Sequence, residues 1–231
     1  MTADALHSQI AYYRARAGEY DEWFYRRGRY DRGPDDNAAW FAEAAEVMQA
    51  LHNIGPVGSA LELACGTGIW TRELVQIATS VTALDAAPEM LALNAQNVPD
   101  PRVTRAQADL FTWEPDAQFD LVFFSFWLSH VPRERCGEFL SRAVRAARPG
   151  GRIFIVDSLA DAASSAANHA THDPAGTFHE RKLNDGRAFT IVKVFYDPAE
   201  IASSLAALGF AAEGHRTARF FWWATGIKAV A

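Results

Sequence analysis

The residue types best suited to chemistry lie in Leu61-Glu62-Leu63-Ala64-Cys65-Gly66-Thr67-Gly68-Ile69-Trp70-Thr71, an apolar run that turns through two glycines into a helical pattern. Gly66 and Gly68 let the backbone bend sharply and approach a ligand that a Cβ atom would hold off. The helix that follows offers free N–H groups and a partial positive charge to polar ligand groups. Asp85 stands 19 residues after Gly66, at the end of the next apolar run, where a carboxylate can accept both hydroxyls of a ribose. Together these residues predict a nucleoside site. A dinucleotide is disfavoured, because its fingerprint needs a third small residue for close helix packing and Thr71 stands there, behind the bulky Trp70.

Such a turn works only if strands and helices hold it. Ala60 to Ala64, Val81 to Leu84, Val103 to Ala106, Leu121 to Phe124 and Ile153 to Val156 are short apolar runs without polar alternation, as in strands buried on both faces of a parallel sheet. Helical stretches separate them, marked by Trp70, Leu74 and Ile77, by Pro88, and by Cys136, Phe139, Leu140, Ala143 and Val144. An earlier helix carries Trp40, Ala44, Val47 and Leu51, with Asp36 or Asn37 as its cap. This alternation predicts an α/β fold with a doubly wound, seven-stranded, mostly parallel sheet. Residues 1–36, which hold five of the six tyrosines, form an N-terminal helical cap. Residues 37–158 are the cofactor-binding half, 159–186 a substrate-side insertion, and 187–231 complete the sheet, all within one domain of 1–231. In the last part Arg187 to Phe195 alternates like a strand, Asp197-Pro198 starts a helix ending at Gly209, and two strands follow.

At this point the motifs resemble a known family. Glu62-Leu63-Ala64-Cys65-Gly66-Thr67-Gly68 looks like the first motif of class I S-adenosylmethionine-dependent methyltransferases, of the small-molecule type 11 and 12 kind. The likeness continues through Val81-Thr82-Ala83-Leu84-Asp85, Ala108-Asp109-Leu110-Phe111, Phe119-Asp120-Leu121-Val122 and Arg148-Pro149-Gly150-Gly151. The resemblance implies S-adenosyl-L-methionine as cofactor and assigns residues to it. Gly66 and Gly68 lie beside the methionine moiety, Asp85 with Ala86 at the ribose, Met90 against the adenine, and Asp109 with Leu110 at the adenine edge. Ser125 and Phe126 face the methionine amino group through backbone carbonyls, and Tyr13 or Tyr20 meets its carboxylate. Glu62 orients the turn.

A sulfonium methyl is already activated, so transfer asks for alignment, exclusion of water and, for a protonated nucleophile, a proton acceptor. His130 follows the fourth strand closely and is the first candidate for that base, with a turn-stabilising role as the alternative. Phe126 and Trp127 could stack on a planar acceptor, whereas Phe124 belongs in the core. His169, His172, Asp173 and His179 suit no standard zinc spacing and are expected in a mobile loop or lid, so no metal site is expected. Arg181, Lys182 and Arg187 read as solvated charges, with reception of an acidic acceptor as the other reading.

Composition narrows the partners. With 28 acidic against 22 basic side chains the net charge is -6, which disfavours nucleic acid. No stretch suggests a membrane span or a secretory signal, and Cys65 and Cys136 suit reduced thiols; a cytoplasmic protein is expected. The sequence after the fourth strand, Ser125-Phe126-Trp127-Leu128, lacks the motif of base methylases, and no two-glutamate loop of arginine methyltransferases is visible. A small-molecule acceptor remains, methylated on oxygen or nitrogen, and a monomer or homodimer is left open. Two rival readings share the fold: a nicotinamide-dependent oxidoreductase, and a protein that binds S-adenosylmethionine without methylating.

Overall fold

The computed structural model describes residues 3–166 and 176–230, with side chains from residue 8 onward. In chain order its helices are α1 (Ala3–Arg16), α2 (Tyr20–Phe24), α3 (Pro34–His52), α4 (Thr71–Ile77), α5 (Pro88–Asn97), α6 (Arg133–Arg145) and α7 (Pro198–Ala207). Its strands are β1 (Val57–Leu63), β2 (Ala78–Asp85), β3 (Val103–Gln107), β4 (Phe119–Ser125), β5 (Ala147–Ser158), β6 (Phe178–Lys182), β7 (Ala188–Val192), β8 (Phe210–Arg216) and β9 (Phe221–Lys228). Seven strands form one sheet in the order β3-β2-β1-β4-β5-β9-β8, and β6 and β7 form a separate antiparallel hairpin. β1 to β5 pair in parallel, and β9 enters antiparallel between β5 and β8.

Side chains alternate between the two faces of the sheet, so neighbouring apolar residues enter different cores. Leu61, Leu63, Val122, Phe124, Ile153 and Ile155 meet Phe139 and Leu140 of α6 and Ile201 and Leu205 of α7. Ala60, Leu121, Phe123, Phe154 and Val156 meet Trp40, Val47 and Leu51 of α3 and Leu74 of α4 on the other side. Phe123 and Phe124 are wholly buried, one in each core. Truncating either to alanine would cost about 3–5 kcal/mol. The strand order reverses between β1 and β4, the place where open α/β sheets bind ligands beyond the carboxyl ends of their strands.

Several boundaries differ from the sequence reading. α3 begins at Pro34, behind Gly33 at φ 86, instead of at an Asp36 or Asn37 cap; proline fits a first helical turn because its missing N–H has no partner there anyway. The strand expected over Arg187 to Phe195 is shorter and pairs with β6, inside the segment expected to be a loop. Within residues 3–36 Tyr12, Phe24 and Tyr30 are buried, and α1 docks on the hairpin. Gln9 stitches that contact, its amide donating to the His130 carbonyl at 3.2 Å and accepting from the Val192 N–H at 3.1 Å. Trp23 donates to the Ser164 carbonyl at 2.8 Å and Arg32 to that of Ser165 at 2.7 Å, tying the cap to the chain after β5. Among the described residues no helix is long and apolar enough to cross a membrane.

Candidate active site

Two cavities open at the carboxyl ends of the central strands and share Tyr13, Tyr20, Phe126 and His130 as their common wall. The first, about 630 Å³, is lined by Gly66, Asp85, Ala86, Met90, Asp109, Leu110 and Ser125 besides the shared residues. The structure thus brings together ten of the eleven cofactor residues expected from sequence. The exception is Gly68. At φ 97 it faces α5, where an added Cβ would stand 3.2 Å from Asn94 Nδ2 and 3.1 Å from Val98, so it allows turn and helix to pack closely and does not line the cavity.

The glycine turn is held by its own acid. The Gly66 N–H donates to Asp85 Oδ2 and the Ala87 N–H to Oδ1, each at 2.9 Å. A carboxylate offers about four acceptor sites, so both oxygens keep capacity for further donors. Burial raises the Asp85 pKa from its ordinary value, against the lowering effect of these backbone N–H groups. Two ligand hydroxyls donating to it would therefore relieve a desolvated charge. Asp109 spends one oxygen on the Phe111 N–H at 2.9 Å, while Met90 packs with Ala87 and Ala17 to form an apolar wall. Gly66 at φ 51 takes a conformation that suits glycine.

Two strained residues escaped the sequence reading. Ala64, just past β1, has φ 58, and Phe126, just past β4, has φ 51. Left-handed backbone costs a non-glycine residue roughly 1–2 kcal/mol, and both positions line the first cavity. A left-handed residue after a strand turns the chain abruptly, which bends both strand ends around the same space. Nothing in the local composition signals it.

Beneath the turn, Thr71 donates to Glu62 Oε2 at 2.6 Å and accepts from Asn94 Nδ2 at 2.8 Å, and Asn94 in turn accepts from Arg105 at 2.7 Å. This chain locks β1, α4, α5 and β3 together, and its threonine occupies the place where a dinucleotide fold needs a small residue. Burial pushes the Glu62 pKa up to about 8. Glu62 is wholly enclosed and lines neither cavity, as expected of a residue that orients the turn. Burial also raises the Cys65 thiol well above its usual range, so it is a packing group and no nucleophile.

His130 sits in a short 3-10 turn, Leu128–His130, at the junction of the cavities. Its Nδ1 lies 2.7 Å from the Val192 carbonyl, which fixes the proton there, and its Nε2 therefore accepts from the Tyr13 hydroxyl at 2.6 Å. Burial, aided by the nearby Lys193 ammonium, lowers its pKa well below the ordinary histidine value. The imidazole is neutral.

The second cavity, about 600 Å³, lies between the tyrosines of the cap, the end of β5 and the hairpin. Arg16, Arg181 and Lys193 line it. Only Arg181 of the three drew notice in the sequence, where it read as solvated or as a receiver of an acidic acceptor; it is buried, whereas Lys182 and Arg187 are exposed and pair with Glu180 and Asp185. His169, His172 and Asp173 lie outside the described residues, and His179 is buried with Nε2 at 3.2 Å from the Gly176 carbonyl. Among the described residues no three histidine, cysteine or acidic side chains gather as a metal site.

Known proteins bear on this geometry. A family model described as a methyltransferase domain matches residues 60–151. The DhpI–SAH complex is 36% identical, covering 99% of each chain with a TM-score of 0.79, and the DhpI–SAM–HEP complex is 37% identical over 98% of this chain and 99% of that one, also at 0.79. The demethylmenaquinone methyltransferase of Beutenbergia cavernae is 26% identical over 150 residues, 57% of this chain and 61% of its own length. The chain spans between about half and two thirds of the first few curated relatives it matches.

Proposed function

This chain belongs to the class I S-adenosylmethionine-dependent methyltransferases, and from that membership we propose that it methylates a small molecule on oxygen or nitrogen, with donor and acceptor held in the two adjoining cavities. The observation that carries this reading is the shared wall: Tyr13, Tyr20, Phe126 and His130 border both spaces, so reacting groups would meet there. S-adenosylmethionine, when bound, supplies an electrophilic methyl group on a sulfonium.

The chain's own residues supply placement. Asp85 and Ala86 are proposed at the ribose, Met90, Asp109 and Leu110 around the adenine, and Gly66, Ser125, Phe126, Tyr13 and Tyr20 around the methionine part. Gly68 supports the turn from behind. The rings of Tyr13, Tyr20 and Phe126 present faces that favour positive charge and exclude water from the junction. Residues 1–36 act as the cap that closes the junction, and 1–231 as one catalytic unit.

For His130 the surroundings favour positioning. Its Nε2 lone pair is engaged by Tyr13, and its low basicity suits an acceptor of that hydrogen bond better than a store for a substrate proton. Through that bond His130 holds the Tyr13 hydroxyl at the junction of the cavities, beside the reacting groups. The His130→Ala variant is expected to lose turnover about a hundredfold while donor affinity changes less than about threefold. Unchanged turnover would remove His130 from the mechanism. The whole reading is tested by release of S-adenosylhomocysteine on incubation with candidate acceptors, where hydride transfer from a nicotinamide cofactor would instead support the oxidoreductase reading.

A further inference from the structure

The second cavity carries charge that its walls do not neutralise. Arg16 and Arg181 are each 8% exposed, and the Lys193 side chain 12%. A guanidinium does not shed its proton in a protein, so both arginines stay charged. Among the described residues no carboxylate pairs with either. Within the described residues Arg16 makes one hydrogen bond, to the Tyr30 hydroxyl at 3.2 Å, and its buried Nε finds no partner. Its guanidinium lies 5.0 to 5.8 Å from the ring centres of Tyr12, Tyr20 and Tyr30, which ease but do not cancel the charge. Arg181 donates to the Glu180 carbonyl at 3.2 Å. Lys193 does have a carboxylate, Asp157 at 3.5 Å, but that acid also accepts the N–H groups of Ser129 and Ser158.

The hairpin strand shows the same purpose. β6 turns His179 and Arg181 inward and leaves Phe178 at 52% exposure, the reverse of the pattern that burial of apolar surface would select. Such an inversion costs stability, and burying two charges that have no counter-ion among the described residues costs more still. The protein as a whole is acidic, at net charge -6, so this chamber is a local feature and not a general background. Among the described residues its lining holds no acidic side chain.

The geometry points to an oxoanion on the acceptor, seated between Arg16, Arg181 and Lys193, with two uncompensated charges favouring a dianion such as a phosphate or phosphonate over a single carboxylate. This rests on the methyltransferase reading only in calling the ligand the acceptor. Planar guanidinium forks and an ammonium offer several charge-assisted donors around one group, and the Tyr12 hydroxyl, buried without a partner, adds another.

The test uses the intact protein loaded with S-adenosylhomocysteine and titrated by calorimetry with inorganic phosphate, methylphosphonate, acetate and neutral trimethyl phosphate. Phosphate and methylphosphonate are expected to bind about tenfold tighter than acetate, and trimethyl phosphate not measurably. Arg181→Met and Lys193→Met should each weaken the dianions about tenfold or more, with Arg181→Lys restoring part of the loss and S-adenosylhomocysteine affinity held within about threefold. Arg16 holds three rings together, so its replacement is a poorer probe and the other two variants decide. Dianions that bind no tighter than acetate or the neutral ester, or that bind both methionine variants as well as the parent, would overturn the site. If S-adenosylhomocysteine itself fails to bind, the methyltransferase reading falls, and titration of phosphate into the unloaded protein still decides the oxoanion site.

Discussion

The two cavities differ in how they are built. The proposed donor side comes from strand ends and the turns after them, so Gly66, Asp85, Asp109 and Ser125 each sit in a short motif at the carboxyl end of a neighbouring parallel strand or in the loop after it. The proposed acceptor side comes from α1, the stretch after β5 and the β6–β7 hairpin, whose residues are far apart in sequence and meet only through tertiary contacts such as Gln9 to Val192. One side is mostly apolar with two acids, the other has two arginines and a lysine. On the proposed assignment the methyl donor would be met by the geometry of the sheet itself, while its partner in the reaction would be chosen by peripheral pieces that the sheet merely carries.

Substitutions can break or sharpen this contrast. The largest effect is expected on the donor side from Asp85→Ala, which removes two acceptors for ligand hydroxyls and the anchor of the Gly66 turn. Affinity for S-adenosylhomocysteine should fall about 10²–10³-fold by calorimetry, as two hydrogen bonds to a charged group are worth about 3–4 kcal/mol. His130→Ala at the junction is next, with its hundredfold loss confined to turnover under saturating donor. Gly68→Ala comes third. It should cost about 2 kcal/mol of stability through strain at φ 97 and crowding of Asn94 and Val98, read as a lower denaturant midpoint with the surviving folded protein still binding donor.

The smallest effect concerns pH. Glu62 has a folded pKa of about 8, above the ordinary 4.5, so between these values the unfolded chain releases a proton that the folded chain keeps. Its contribution is fully present below about pH 4.5 and is lost as pH rises through 8. Glu62→Gln should therefore flatten the decline of thermal stability between pH 6 and pH 7 by about 1.3 kcal/mol, since a tenfold change in proton affinity is worth about 1.4 kcal/mol. An unchanged slope would mean that Glu62 is ionised in the folded protein.

Legibility in the sequence followed the same division. Buried parallel strands advertise themselves as short apolar runs, which is why β1 to β5 lie where the runs predict, and the donor residues ride on them. Ala64 and Phe126 carried no signal because a left-handed turn at a non-glycine residue is imposed by its surroundings. β6 was hidden because Phe178-His179-Glu180-Arg181-Lys182 inverts the usual burial pattern, so polarity suggested a solvated loop. Arg16 and Lys193 look like any surface cation until α1 and the hairpin fold over them. The one available hint was the gathering of five tyrosines in residues 1–36, since rings that crowd near arginines can cover charge as well as apolar surface.

The most direct measurement is calorimetric titration of the folded chain with S-adenosylhomocysteine, alongside the Asp85→Ala variant. One-to-one binding in the parent that is weakened at least about a hundredfold in the variant is the expected result. No heat of binding in well-folded parent protein, or equal affinity in the two, would contradict the placement of the methyl donor at the Gly66 turn.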